Sequence, residues 1–406
     1  METNMEYRAA RELLLEHTAP IARRERIPLE AALGRVLAEE ITAARDVPPF
    51  DRSPFDGYAF RAADTHGADE AHGVTLKILE EIPAGGVATQ SVTPGTAAKI
   101  LTGAPIPPGA DAVVKYEETA FSETHVTVSR AFSSGENVVP QGEDVKAGAL
   151  LAGSGTVIDS ALLGTLAAQN IPEPLAYAVP RVGIITSGSE LAEPGEALTG
   201  GKIVNTNRYA FWGAVQSAGC EPVFFGAPKD DPAVIAGCLT RALSECDMVI
   251  TTGGVSVGDY DYTPAAMERA GIEMLIRTLR LKPGGASAYG VYGDKLVCGL
   301  SGNPASALTN FYAVVLPALR KLRGLESPRL QEITVTLADR FPKKSPKTRL
   351  IRGSLFIEGG TAYMRVSTAQ ENGSLHSLSG CDLLAEIPAG SGKLDAGVRL
   401  TAYAIG

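Results

Sequence analysis

The stretch TTGGVSVGDYDYT, residues 251–263, follows the apolar run Met248-Val249-Ile250. It sets Gly253, Gly254 and Gly258, then Asp259 and Asp261, where a buried strand hands over to a helix. Short apolar runs closed by glycine recur on either side of it. RVGIIT (181–186), EPVFF (221–225), CDMVI (246–250) and KLVCGL (295–300) read as strands, and NRYAFWGAVQSAG (207–219) and PAVIAGCLTRALSE (232–245) as helices between them. After SGNP (301–304), Leu308, Phe311, Tyr312, Val315, Leu319 and Leu322 keep a helical period. Strands alternating with helices imply right-handed crossovers and a mostly parallel, doubly wound sheet covered on both faces.

Farther out the character changes. Residues 7–16 read as a helix with Tyr7, Ala10, Leu13 and Leu14 on one face, and 28–38 as a second, opening at Pro28 and carrying Leu29, Leu33, Val36 and Leu37. From 46 to 137, glycine and proline separate β-prone pieces such as VTLKILEEI, DAVVKYEET and HVTVS, which indicates a β-rich domain. Segment 138–178 combines a GEDV loop with the helical SALLGTLAAQN, and 326–406 returns to strand patterns. The expected fold is therefore multidomain α/β, with β-rich N- and C-terminal domains around a central α/β domain at 179–325.

Whole-chain properties narrow the function. At 406 residues the chain exceeds one compact core. A net charge of −9 argues against a nucleic-acid partner. Five scattered cysteines without a CxxC pair fit reduced thiols and a cytoplasmic setting. The N-terminal residues show no signal-peptide pattern, and no apolar run approaches the roughly 18 residues that span a bilayer. None of the five histidines has metal-ligand or nucleophile spacing.

Chemistry is expected beyond the carboxyl ends of the strands, where parallel sheets bind ligands. Three glycine-bearing loops fall there: TSGSEL (186–191), TTGGVSVGD (251–259) and GLSGNPAS (299–306). Glycine lets backbone N–H groups approach an oxyanion, and a helix N-terminus adds about 0.3–1 kcal/mol at an exposed site. Any one loop is equally well a tight turn, and none matches GxxxxGK[ST] or GxGxxG. Asp259 and Asp261 beside a phosphate cradle would repel it unless Mg²⁺ intervened; helix capping is the competing role. Lys282, in RLKPGGASAYG, offers positive charge to an anion or to solvent. The run KKSPKTRLIR (343–352) reads as a solvated loop with anion-binding capacity.

Taken together, PPFDRSPFDGYAFR (48–61), ILTGAPIPPGADAVV (100–114), QGEDV (141–145), GIITSGSEL (183–191), NTNRYA (205–210), the 251–263 stretch and GLSGNPASAL (299–308) resemble the molybdopterin molybdenumtransferase family, which includes the gephyrin E domain. The resemblance implies four domains in an elongated homodimer: 1–45 with 138–178, an inserted 46–137, the pterin-nucleotide-binding 179–325, and 326–406. The active site would lie between the α/β domain and the β-rich domain of the other subunit.

The resemblance also implies Mg²⁺-dependent insertion of molybdate into adenylylated molybdopterin with release of AMP, in molybdenum-cofactor biosynthesis. Motif by motif, it makes Asp56, Thr102, Asp144, Glu190 and Asp261 the catalytic candidates, and Asp259 with Asp261 the metal ligands. Gly188, Ser189, Gly253, Gly254, Ser256, Lys282, Ser301, Gly302, Asn303 and Pro304 become substrate-binding. Other proteins of the pathway are the further partners; nucleic acid and membrane are not.

The chain departs from the family pattern at Gly285 and Ala286, where lysine and proline are common, at Ser301 for a proline, and at Ser189 and Asn205 for acidic residues. A binding-only paralogue, a tungstate-using version and a dimeric scaffold are the alternatives these departures and the gephyrin likeness leave open.

Overall fold

The computed structural model describes residues 1–255 and 262–405. In the central sheet the alternation of side chains builds a core on each face. Val182, Ile184, Met248, Ile250, Leu296 and Cys298 point to one core with Phe211, Val215 and Phe311. Ile185, Val249 and Val297 point to the other with Ile235, Leu239 and Met267. The strand order is Glu2–Met5, Glu273–Leu279, Ser287–Tyr292, Lys295–Leu300, Met248–Thr252, Arg181–Thr186, Glu221–Phe224. The last four of these run parallel. Ser287–Tyr292 pairs antiparallel with both its neighbours, and Glu2–Met5 adds a parallel edge strand, which the sequence reading had not anticipated. The chain leaves Arg181–Thr186 for Glu221–Phe224 on one side and returns to Met248–Thr252 on the other, so the topological switch point lies between these two strand ends.

Two compact units divide the chain: Met1–Glu39 with Ser154–Asp159 and Glu173–Gly406, and Glu40–Gly153 with Ser160–Pro172. The segment 138–178, expected to form one domain with 1–45, is thus split between them. The Tyr7–Glu16 helix belongs to the larger unit. Its apolar stripe of Tyr7, Ala10 and Leu14 joins the core formed by Phe311, Val314 and Leu319, inside the α/β unit. The expected helix at 28–38 is reduced to a single 3-10 turn, Leu29–Ala31. Gly34 turns the chain at φ +75, and Val36 and Leu37 then bridge to Val157 and Ala176 as extended backbone. The helix after SGNP forms as Pro304–Asn310 and Leu316–Leu322, joined by a π-helical segment at Phe311–Val315. Pro317 has no N–H to donate and its ring displaces the preceding turn, which accounts for the widened register.

The last β-rich region closes on itself. Thr348–Glu358 pairs with Thr361–Val366 and also with Leu383–Ile387, so five strands complete a ring around Val335, Ile351, Met364 and Leu400. Leu281–Lys282 attaches to it beside Thr348–Arg349. In the smaller unit a six-stranded sheet runs Ala112–Lys115, Gly57–Phe60, Thr96–Ile100, Val74–Ile82, His125–Val128, Thr119–Phe121. No helix among the described residues is long and apolar enough to cross a membrane.

A buried polar knot ties the N-terminal helix to the β ring. Tyr7, 1% exposed, donates its hydroxyl to Glu386 and lies 2.9 Å from the Tyr403 hydroxyl, while Arg8 donates to the same Glu386 oxygen at 2.8 and 3.0 Å. Burial, reinforced by the Glu386 carboxylate, pushes the Tyr7 phenol well above its usual range and keeps it a donor. Tyr7→Phe should therefore destabilise the larger unit by about 1–3 kcal/mol, measured as a fall in the urea midpoint. Tyr403→Phe should cost less, because Glu386 keeps both Tyr7 and Arg8.

Candidate functional site

At the switch point a cleft of about 230 Å³ opens over the carboxyl ends of Arg181–Thr186 and Met248–Thr252. Its rim is built from Ser187-Gly188, Glu190, Asn205–Asn207, Asp230, Thr252–Gly254 and Gly302. Backbone contacts bring the turns together. Ser187 N–H donates to the Thr252 carbonyl at 2.8 Å, and Gly253 N–H to Leu300 at 3.0 Å. A Cβ on Gly253 would stand 2.4 Å from the Ser187 carbonyl oxygen, at φ +97, so no other residue fits there without displacement. Gly302 packs against it: a Cβ on Gly302 would lie 3.6 Å from the Gly253 Cα. The three loops read from the sequence thus meet at one place.

Side chains give the cleft its polarity. Glu190 folds its carboxylate back over Gly188, within 2.7 Å of where a Cβ would project. Asp230 accepts from the Ser189 backbone at 3.1 Å and from its hydroxyl at 3.2 Å. Asn205, 1% exposed, caps the Thr206–Ser217 helix by accepting from Arg208 N–H, and its amide donates to the Thr186 hydroxyl at 2.8 Å and to Glu193 at 3.4 Å. Asn207, 8% exposed, donates to the Gly302 carbonyl at 2.9 Å and to the Thr252 hydroxyl at 3.2 Å. Those acceptors fix the amide's orientation and leave the Asn207 Oδ1 buried with no hydrogen-bond partner among the described residues. An orphaned acceptor on a cleft wall is a place for a ligand N–H or O–H.

The departures acquire a physical account here. An acidic residue at 189 would face the Asp230 carboxylate, which already supplies the charge. At 205 the amide donates to Glu193, which a carboxylate could not do. Gly285 has no room for a lysine in this backbone: a Cβ would lie 2.7 Å from the Leu281 carbonyl and 2.8 Å from that of Leu279. Ser301 is buried and its hydroxyl oxygen accepts the Asn303 N–H at 3.2 Å, closing the turn into the helix that starts at Pro304.

Lys282 does not line the cleft; its strand joins the β ring instead. Arg349 and Arg352, expected on a solvated loop, lie on the buried part of Thr348–Glu358 at 5% and 0% exposure. Arg352 Nη2 donates to the carbonyls of Ala369 and Glu371 at 3.2 and 3.1 Å, while Nε and Nη1 have no hydrogen-bond partner among the described residues. Burial lowers the pKa of both arginines. The Glu371 carboxylate is held below its usual range by Lys343, with Lys282 and Arg349 adding to the effect, so these cations share one neighbourhood. The next residue, Asn372, accepts from Ser306 N–H at 3.1 Å, which fastens this basic cluster to the helix following the Ser301–Pro304 turn.

In the smaller unit, Asp56 and Thr102 are brought together: one Asp56 oxygen accepts both the backbone N–H and the hydroxyl of Thr102 at 2.7 Å. Those two bonds lower the Asp56 pKa. Gly57, with the Val114 carbonyl 1.8 Å from any Cβ, fixes the strand beside it. Asp144 is exposed, its N–H bonded to the Val47 carbonyl at 3.0 Å. Ser256, Asp259 and Asp261 lie outside the described residues. Among the described residues no cluster of three or more histidine, cysteine or acidic side chains is placed to hold a metal.

Sequence reasoning missed Asp230 and Asn207, and it missed the burial of Arg352 within a run it had given anion-binding capacity. Asp230 had a signal: in Asp230-Asp231-Pro232 the second aspartate caps the following helix through Ala233 and Val234, which leaves the first unassigned.

A doubly wound domain with its cleft at the switch point defines a ligand-binding α/β protein. Residues 5–169 match the profile of the MoeA N-terminal region (domain I and II), 183–321 that of a probable molybdopterin binding domain, and 334–404 that of the MoeA C-terminal region (domain IV). A molybdopterin molybdenumtransferase of Staphylococcus epidermidis is 35% identical over 371 residues, covering 91% of this chain and 88% of the relative. One from Staphylococcus aureus is 34% identical over the same shares. The crystal structure of a molybdopterin biosynthesis moeA protein from Pyrococcus horikoshii OT3 superposes with a TM-score of 0.84 at 35% identity, covering 99% of this chain and 100% of that one. The chain belongs to the molybdopterin molybdenumtransferase family.

Two glycines test the cleft geometry. Gly253→Ala should weaken AMP binding by about tenfold or more, since the Ser187 and Thr252 turns must part. Gly213→Ala, on an exposed helical position with open space around it, should leave binding unchanged and raise stability by about 0.5–1 kcal/mol. Calorimetric titration and thermal melts measure both.

Proposed function

We propose that this protein inserts molybdate into adenylylated molybdopterin, releasing AMP and leaving molybdenum on the dithiolene sulfurs, as the resemblance and the family membership together imply. One observation carries the reading: the switch-point cleft, with its orphaned acceptor at Asn207, is bonded to Gly302, and the 371–372 segment that holds a buried arginine short of acceptors is bonded to Ser306 in the helix that follows. The cleft suits the phosphorylated pterin nucleotide. Its glycine turns admit phosphate oxygens close to the backbone, and Asn207 Oδ1 accepts an N–H or O–H of the ligand. Arg352, with Lys282, Lys343 and Arg349, suits a tetrahedral dianion, whose oxygens would satisfy Nε and Nη1.

We assign Mg²⁺ to the acidic side of the cleft, on the chemical ground that it takes one or two carboxylates together with phosphate oxygens. Glu190 and Asp230 would hold it with Asp259 and Asp261. When bound, the ion supplies Lewis-acid polarisation of the phosphoanhydride. Asp56 and Thr102, locked to one another, are assigned to the active site on their motif alone, as is Asp144. A homodimer is inferred from the family, and a cytoplasmic setting from five free cysteines. The glycine at 285 favours one second reading, a paralogue that binds the nucleotide without turning it over.

The deciding experiment incubates the purified protein with adenylylated molybdopterin, Mg²⁺ and molybdate or tungstate, and follows AMP. Release with metal insertion is expected; AMP binding without release supports the paralogue. Arg352→Gln should lower oxyanion-dependent turnover about 10²–10³-fold with AMP affinity intact. Asp261→Asn should lower turnover at an unchanged unfolding midpoint, and omission of Mg²⁺ should stop AMP release.

A further inference from the structure

The Thr206–Ser217 helix starts at the ligand cleft and ends at a second cavity, of about 520 Å³. That volume lies within the range of small-molecule sites. Its apolar walls come from Ala214, Tyr312, Leu316, Leu325 and Ile405, and its charged groups are Arg320 and Arg323.

Among the described residues neither guanidinium faces a carboxylate. Burial lowers the pKa of each; Arg323 adds to the effect at Arg320, while at Arg323 the Cys220 thiol opposes it and Arg35 adds to it. Neither forms an ion pair among the described residues. Arg323 donates to the Gly34 carbonyl at 2.8 Å, while the Arg320 guanidinium makes no hydrogen bond among the described residues.

Helix capping is the simpler role for arginines near helix C-termini, and the hydrogen bonds speak against it. The carbonyls of Ala214, Val215 and Gln216 already accept from Ala218, Cys220 and Gly219. Those of Leu319, Arg320 and Lys321 accept from Arg323, Leu325 and Gly324. The carbonyls named at both helix ends are satisfied without side chains. Arg323 is also held in place: its guanidinium carbon sits 2.4 Å from where a Cβ on Gly219 would project, a position that only glycine can leave free.

We propose that this cavity binds a small amphiphilic organic anion, its carboxylate or phosphate head held by the Arg320 guanidinium, with the charge of Arg323 nearby, and its apolar body laid against Leu316, Leu325 and Ile405. A guanidinium fork matches the geometry of either head, and the apolar walls offer nothing to a bare inorganic ion. No residue of this cavity lines the nucleotide cleft, so the inference stands whether or not the transferase reading holds.

Calorimetric titration of the full chain at saturating AMP tests it, with octanoate and octyl phosphate below their micelle concentrations and 1-octanol as the neutral control. One site per chain is expected for at least one anion, with octanol weaker by roughly tenfold or more. The two anions together distinguish carboxylate from phosphate recognition. Arg320→Gln should weaken the anion by a similar factor at an unchanged melting midpoint, and Arg320→Lys should restore part of it. No saturable binding of either anion, equal affinity for octanol, or an unaltered Arg320→Gln variant would overturn the proposal.

Discussion

The binding cleft depends on a backbone approach that only glycine permits. Gly253 stands against the Ser187 carbonyl while Gly302 packs on Gly253. The three turns are drawn from a span of more than a hundred residues, and each holds the next through main-chain groups. This is why the cleft tolerates changes in its side chains. Loop positions 189, 205 and 301 differ from the family pattern, yet the turns stay in register because the bonds between them are made by N–H and C=O groups.

Charge in the site is distributed rather than conserved residue by residue. Ser189 is neutral, but its N–H and hydroxyl hold Asp230 in the cleft. Asn205 is neutral, and its amide steadies Glu193, which also takes Arg208 at 2.7 Å. Gly285 cannot carry a lysine, while Arg349 and Arg352 bring buried positive charge from the β ring. A buried guanidinium with unsatisfied donors is costly to keep. Its retention is understandable where an anion completes it.

Much of this was legible in the chain itself. The strands 181–186, 221–224, 248–252 and 295–300 announce themselves as apolar runs, and glycine or serine turns mark their carboxyl ends. What escaped was long-range or cryptic. Glu2–Met5 is polar apart from its last residue and is held by its ladder and by bonds between Asn4 and Thr278, so no hydrophobic pattern signals it. The 28–38 segment has helical spacing, but the bridges of Val36 and Leu37 prevail over local propensity. KKSPKTRLIR looks solvated by composition, and only the closure of the ring buries Arg352. Asn207 resembles any helix-start asparagine until the Gly302 carbonyl fixes its amide.

The pairing of Glu2 with Ile276 has a consequence for synthesis. The chain's opening strand leaves the ribosome 274 residues before its partner, a delay on the order of 14–55 s at elongation rates of about 5–20 residues/s. Meanwhile the smaller unit emerges whole, because all the strands of its sheet fall between residues 57 and 128. Nascent chains thus carry a finished insert behind an N-terminal tail whose Tyr7, Ala10 and Leu14 have nothing to pack on. Final assembly is a capture event, in which the tail must still be free when the last strands arrive.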